Sequence, residues 1–190
     1  MKEDLDASIP RRSATLRPEY VPLGFLVEKP THGYELYRRF SDTLSGLWRI
    51  SESQMYATLK RLEERGILEG LPPTKGAAAS RRMLVPTQAG RASFEEWLST
   101  PTACNPRALR LEFLTRIFFA RRIAPTRLAA LCEGQRAAVE RAIERTPSGS
   151  LHSLRDLDVQ ELARSFREIQ LRSALRWLDE SVSVSIGSKT

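Results

Sequence analysis

The sequence has few of the residues that metal sites and covalent chemistry need. It contains two cysteines, Cys104 and Cys132, and two histidines, His32 and His152. Neither pair has the spacing of a zinc or redox motif, and the sequence lacks both a glycine-rich phosphate loop and a His-Glu-x-x-His motif. We therefore expect no catalytic residues, no metal site and no cofactor. The cysteines are predicted to be reduced thiols.

Long apolar segments are also missing. The sequence contains no apolar run approaching the roughly 18 residues that a transmembrane helix requires. The N-terminal sequence MKEDLDASIPRRS is charged and lacks the apolar core of a secretory signal. These absences predict a cytoplasmic protein with no membrane partner.

The charge balance favours an anionic partner. The 190 residues carry a formal net charge of +7, and the pI is near 9.9. A basic surplus is typical of proteins that bind nucleic acid, although the excess here is spread over both halves of the chain. A chain of this length forms one large domain or two small ones.

Residues 51–66, SESQMYATLKRLEERG, predict a short helix with marked ends. Ser51 and Gln54 form a capping-box pattern, and Gly66 stands where a left-handed C-cap is expected. Helical spacing predicts a buried stripe of Met55, Leu59 and Leu62.

The polar side of this helix is predicted to enter the major groove of DNA, although an ordinary solvated face is the alternative. The candidate contacts in the helix are Ser51, Ser53, Gln54, Tyr56, Ala57, Thr58, Lys60 and Arg61. Gln54 has two competing roles, pairing with adenine and capping the helix. Tyr56 could contact phosphate through its hydroxyl or serve only in packing.

The flanking segments predict a winged helix-turn-helix domain. Two short helices precede the helix predicted over 51–66, which we call the reading helix. The first starts near Pro22, and the second spans residues 33–44. Two β-prone runs follow at 67–71 and 81–85, joined by the turn-rich sequence PPTKGAAAS, and a helix starts at Thr87. The wing offers Lys75, Arg81 and Arg82 to phosphate, with a solvated basic loop as the alternative. His32, at the start of the second helix, could donate to phosphate or make a structural hydrogen bond.

The chain beyond Pro106 is predicted to be helical. The predicted helices span residues 107–122, 125–146 and 157–182. They carry more apolar stripes than one neighbouring helix can cover, and this surplus predicts a homodimer. A monomeric bundle is the alternative. The predicted interface contains Phe113, Ile117, Phe118, Phe166, Ile169, Leu175, Trp177 and Leu178. Residues 182–186 alternate as in a β-strand, and we assign them no role.

The predicted fold is therefore mainly α with a small β-hairpin wing. Residues 1–16 are predicted to form a flexible arm, 17–99 a winged helix-turn-helix domain and 107–190 a helical dimerisation domain.

An ordered set of motifs resembles the PadR family of bacterial transcriptional regulators over about residues 17–180. The motifs are PTHGYE (30–35), GLW (46–48), SxxxxYxxLKRLExxG (51–66), TxxG (87–90), EFL (112–114), IFF (117–119) and WLDE (177–180). The resemblance adds Tyr34 to the candidate DNA contacts. The chain departs from the family pattern at Lys29, Ala57 and Leu84, where Gly, Pro and Tyr are common.

The resemblance implies a homodimer that binds palindromic operator DNA, usually as a repressor that a small molecule releases. Trp97, Phe113 and Ile117 are the candidate effector contacts. The alternatives are an activator without an effector and a winged-helix module for protein contacts. The latter would expose apolar groups on the reading helix. An enzyme is the third class, and no catalytic constellation supports it.

Overall fold

The computed structural model describes residues 16–71, 82–146 and 158–187, the last seven through their backbone only. Its elements are α1 (Tyr20–Glu28), α2 (Gly33–Thr43), α3 (Glu52–Glu64), β1 (Leu68–Leu71), β2 (Met83–Pro86), α4 (Gln88–Ser99), α5 (Pro106–Ala108), α6 (Leu114–Ile123), α7 (Leu128–Glu144) and α8 (Val159–Gly187). The predicted arm up to residue 15, the wing tip with Lys75 and Arg81, and the break that follows Thr146 lie outside the described residues.

This order confirms the predicted fold class, mainly helical with one small hairpin. β1 pairs antiparallel with β2 in a register that joins Leu68 to Pro86 and Leu71 to Met83. The segment before α2 adds a further link, because the Leu84 amide donates to the Thr31 carbonyl oxygen at 3.0 Å. Sequence patterns did not reveal this bridge, which holds the start of α2 against the wing.

α1 forms the centre of the N-terminal core. Almost all of its side chains are buried, and it packs against α2, α3, α4, α6 and β2. A helix covered on every side has no polar face, which explains its nearly continuous apolar sequence. At Gly24, an added Cβ would lie 2.4 Å from Cε2 of Phe119. Glycine therefore allows α6 to approach α1 closely.

Both predicted ends of α3 are confirmed. The Ser51 side chain accepts a hydrogen bond from the Gln54 amide at 3.3 Å, and Gln54 Oε1 accepts from the Ser51 amide at 2.9 Å. Gly66 has a φ of 67°, in the left-handed region that favours glycine. The reciprocal cap and the glycine fix the length of α3 by interactions local in sequence.

Thr87 and Gly90 hold the start of α4 against Gly66 and Ile67, which follow α3. The Thr87 hydroxyl donates to the Gly66 carbonyl oxygen at 2.8 Å and accepts from the Gly90 amide at 3.1 Å. A Cβ on Gly90 would lie 2.2 Å from the Ile67 carbonyl oxygen, so this approach requires glycine. The TxxG motif therefore serves packing between α4 and the start of the wing.

The region predicted as a single helix over 107–122 is not a continuous α-helix. Residues Leu109–Phe113 form a π-helical segment between α5 and α6. The wider turn shifts the register of every following side chain. Within this region Phe113 and Phe119 are the fully buried aromatic residues, although Phe119 was not among the predicted interface or effector residues.

α7 packs along α8, and the two helices share a core that contains Leu131, Val139, Leu171 and Leu178. The α8 backbone remains helical to Gly187, so the strand-like alternation of residues 182–186 does not correspond to a strand. The period-2 pattern was misleading because a few alternating residues do not determine secondary structure without a partner strand. Within the described ranges, no helix is long and apolar enough to cross a membrane.

Candidate nucleic-acid interface

α3 exposes most of the residues predicted to contact DNA. Its predicted stripe of Met55, Leu59 and Leu62 is buried. The opposite side exposes Ser51, Ser53, Gln54, Tyr56, Ala57, Lys60 and Arg61. Thr58 differs, because it is only 9% exposed and its Oγ1 accepts a hydrogen bond from Arg61 Nη2 at 3.0 Å. Thr58 is therefore less accessible than the other predicted contacts, although it lines the cavity beside α3.

Two cations on α3 are available to phosphate to different degrees. The Lys60 side chain is 79% exposed and lies 3.9 Å from Glu64 Oε1. Such exposed pairs contribute little to stability, so Lys60 can exchange its partner readily. Arg61 lies along its own helix, where Nε donates to the Ala57 carbonyl oxygen at 3.3 Å.

Tyr56 combines a packed ring with an accessible hydroxyl. An added Cβ on Gly33 would lie 2.6 Å from Cε1 of Tyr56, which shows that the ring packs against the start of α2. The residue is still 44% exposed. Burial raises the pKa of the Tyr56 hydroxyl, and the Glu52 carboxylate adds to that shift. The hydroxyl is therefore a neutral donor near pH 7.

The two candidates in the PTHGYE motif differ in exposure. Tyr34 is 68% exposed, and it lies in the first turn of α2. His32 is the N-cap residue of α2, but its side chain makes no capping hydrogen bond. Its Nδ1 atom is buried without a hydrogen-bond partner among the described residues. Tyr34 is thus the more accessible of the two.

Of the three cations predicted in the wing, Arg82 lies within the residues that the structure describes. Its side chain crosses Gly70, where an added Cβ would lie 2.3 Å from Arg82 Nε, and it forms an ion pair with Glu63 of α3. The pair joins the wing to α3. A phosphate group would therefore have to compete with Glu63 for Arg82. Lys75 and Arg81 lie outside the described residues.

A cavity of about 710 Å³ adjoins α3 and contains cations that sequence reasoning did not select. Its lining includes Arg49 and Arg107 together with Gln54, Ala57 and Arg61. Arg49 precedes the α3 cap, whereas Arg107 lies far away in sequence, in α5. No local pattern could predict that these two arginines line one cavity beside α3.

The helices after Pro106 are hydrogen-bonded to the segments that precede α3 and α1. The Trp48 indole Nε1 donates to Thr115 Oγ1 of α6 at 2.7 Å, in a buried hydrogen bond. The Arg17 amide donates to Glu112 Oε1 at 2.5 Å. These bonds connect the segment before α3 and the segment before α1 to a single helical region.

The predicted effector residues have different surroundings. Trp97 is buried, with Tyr20 stacked at 4.8 Å on its ring and the Arg116 guanidinium 4.8 Å from its centroid. Burial lowers the pKa of Arg116 to about 10, and Glu112 opposes the shift, so Arg116 stays charged near pH 7. Trp97 is 1% exposed, so its ring offers almost no surface to a ligand in this structure.

Phe113, by contrast, lines an apolar cavity of about 400 Å³ together with Trp177, whose ring lies edge-on at 6.3 Å. Ile117 is partly buried against the core. Across residues 16–71, 82–146 and 158–180, no group of three or more His, Cys, Asp or Glu residues could hold a metal ion.

The role of Gln54 can be tested directly. Gln54→Ala removes the acceptor for the Ser51 amide and should lower the free energy of unfolding by about 1 kcal/mol. Gln54→Glu should retain stability, because Glu also completes a capping box. Chemical denaturation of both variants measures the difference. Unchanged stability of Gln54→Ala would count against the cap and leave Gln54 free to read bases.

Comparison with known proteins agrees with this architecture. Residues 23–96 match the model of the transcriptional regulator PadR-like family. The negative transcriptional regulator PadR of Bacillus subtilis is 26% identical over 101 residues, which cover 53% of this chain and 55% of that protein. The probable transcriptional regulator Rv1176c of Mycobacterium tuberculosis is 26% identical over 76 residues, 40% of each chain. The matches thus span about half or less of these relatives.

Solved structures of B. subtilis PadR are also similar. Its complex with operator DNA has a TM-score of 0.43 and 19% identity, with 87% of this chain and 96% of that one covered. Its complex with p-coumaric acid has a TM-score of 0.40 and 20% identity, with 88% and 97% covered.

The family match includes α3, the hairpin and most of α4, the elements whose geometry is described above. This similarity favours a regulator over an enzyme. Through residues 23–96, the chain is similar to the PadR-like family of transcriptional regulators.

Proposed function

We propose that this protein is a sequence-specific DNA-binding transcriptional regulator, with α3 in the major groove. The observation that supports this most directly is the exposed side of α3, where Ser53, Ala57 and Lys60 present small, polar or basic groups. A helix that enters the major groove needs such groups at its centre. A winged-helix module for protein contacts would instead expose apolar side chains there, so this alternative is disfavoured.

We further propose a cytoplasmic repressor that a small molecule releases. The name of the B. subtilis relative, a negative regulator, favours repression over activation. The apolar cavity lined by Phe113 has a volume suited to a small aromatic effector. A cytoplasmic location follows if chromosomal DNA is the ligand.

The experiment that tests the function is recovery of DNA from the protein's own genome. Fragments that the full chain retains are sequenced, and we expect a few enriched sites that share a palindromic element. Retention without any enriched sequence would overturn the proposal.

We also propose that residues 17–99 bind DNA and that 107–190 hold a homodimer. The support is an exposed apolar face on α8 that contains Val159, Leu162, Phe166, Ile169 and Trp177. Phe166 is 64% exposed, and large apolar side chains clustered in this way mark interaction surfaces. The partly covered Phe118 and Leu175 could contribute at the edges. Phe113 and Leu178 are buried within one chain and offer no surface to a second copy.

Phe166→Glu should shift the protein from dimer to monomer, because a carboxylate would have to be buried in the interface without a partner. Sedimentation velocity at micromolar concentration measures the shift. Tyr34→Glu is the matched control, since it places the same charge at an exposed aromatic position on α2. A monomeric wild-type chain, or a dimer that tolerates Phe166→Glu, would contradict the assignment.

A further inference from the structure

A second cavity, of about 510 Å³, lies between the segment before α5 and the helices α7 and α8. Small side chains create the hollow, among them Ala103, Ala138 and Ala142. Four arginines complete its lining, and they are Arg141, Arg145, Arg164 and Arg167. Two of these arginines belong to or directly follow α7 and two belong to α8, so both helices bring positive charge to one space.

These four guanidinium groups form no ion pair with a carboxylate of the described residues. Other arginines on the same helices do. Arg136 Nη2 of α7 lies 3.1 Å from Glu140 Oε1, and Arg172 Nη2 of α8 lies 2.7 Å from Glu168 Oε1. The four exposed cations around the cavity thus have no carboxylate partner among the described residues and are available to an anion.

The segment with Thr102 and Cys104 forms another wall of the cavity and is fixed to α7. The fully buried Gln135 donates from Nε2 to the Thr102 carbonyl oxygen at 3.1 Å and accepts from the Thr102 amide at 2.7 Å. Cys104 lies beside this pair, with Sγ 3.9 Å from Gln135 Nε2. A fixed wall of this kind favours a site that exists before its ligand arrives.

The positive charges converge on this wall. Burial raises the pKa of the Cys104 thiol, whereas Arg145, Arg167 and Arg141 each act to lower it. Three guanidinium groups from two helices are therefore close enough to act on one sulfur atom.

We propose that this cavity binds a small molecule that carries at least two negative charges, such as a phosphorylated or polycarboxylate metabolite. Arginine binds phosphate and carboxylate groups through paired hydrogen bonds, and four arginines can neutralise more than one anionic group. The volume is within the range of small-molecule sites. The site is chemically distinct from the apolar cavity lined by Phe113, and it does not depend on the proposed DNA binding.

Calorimetric titration of the full chain tests the site, with inorganic pyrophosphate and citrate as probes. The two probes distinguish a phosphate ligand from a carboxylate ligand. The double variant Arg141→Gln/Arg167→Gln should weaken binding of the preferred probe at least tenfold. The matched control, Arg121→Gln/Arg176→Gln, removes two exposed arginines outside the cavity and should stay within twofold of wild type.

Alkylation locates the bound anion. Cys104 lines the cavity and Cys132 does not, while both thiols are half-buried with a pKa raised by burial. A saturating probe should slow iodoacetamide labelling of Cys104 relative to Cys132, as measured by peptide mass spectrometry. The proposal is overturned if neither anion binds at millimolar concentration, if the cavity and control variants lose affinity equally, or if Cys104 labelling is unchanged. None of these readouts involves DNA, so the proposed function stands or fails separately.

Discussion

Phe119→Ala is expected to lower the free energy of unfolding by about 3–5 kcal/mol. The Phe119 side chain is 0% exposed and meets the rings of Phe25, Phe94 and Phe118 at centroid distances of 5.3, 5.5 and 5.0 Å. The ring also fills the space over Gly24, so its removal leaves a cavity where α6 meets α1 and α4. Urea unfolding at a fixed protein concentration measures the loss.

The control for Phe119 is Tyr34→Ala, because that aromatic residue is 68% exposed. It should change the free energy of unfolding by no more than about 0.5 kcal/mol. If Phe119→Ala costs under about 1 kcal/mol, α6 does not share a core with the winged helix. That result would contradict the packing described above.

Ala57→Glu is expected to weaken binding to the recovered operator about 100-fold, equivalent to roughly 3 kcal/mol. Ala57 is exposed at the middle of α3, where a carboxylate would face the negative potential of the groove. Glu is a good helix former, so α3 itself should persist. Fluorescence anisotropy with labelled duplex measures the affinity.

Ala92→Glu provides the matched comparison for Ala57. It makes the same substitution at an exposed position of α4, a helix that packs against α1. Its affinity for the operator should stay within about threefold of wild type, the size of a long-range charge effect at physiological salt. Equal losses in both variants would indicate a general effect of charge and would remove α3 from the interface.

Sequence reasoning was most successful where the determinants are local. The capping box and the left-handed Gly66 involve residues within one turn of the ends of α3, and both are confirmed. The hairpin was similarly evident, because turn-rich residues separate two β-prone runs. The side of α3 that is buried followed from helical spacing alone.

The features that were missed depend on contacts between distant parts of the chain. The π-helical segment interrupts the regular helical spacing before Phe119, a fully buried residue that was absent from the predicted interface and effector residues. The Thr31–Leu84 bridge links residues that no pattern associates. Arg49 and Arg107 line one cavity beside α3 although they are far apart in sequence. The low exposure of Thr58 and its hydrogen bond from Arg61 were likewise not evident from the sequence.

The most direct test of α3 as the reader is the sequence of the DNA that the full chain retains from its own genome, compared with the DNA retained by Ala57→Glu. Two copies of α3 in a dimer enter successive major grooves on one face of the duplex. The account predicts an enriched palindrome with half-sites about 10 bp apart, or a multiple of that spacing, in the wild-type sample alone. The same palindrome enriched equally by Ala57→Glu would contradict it, because the sequence would then be read by another part of the protein.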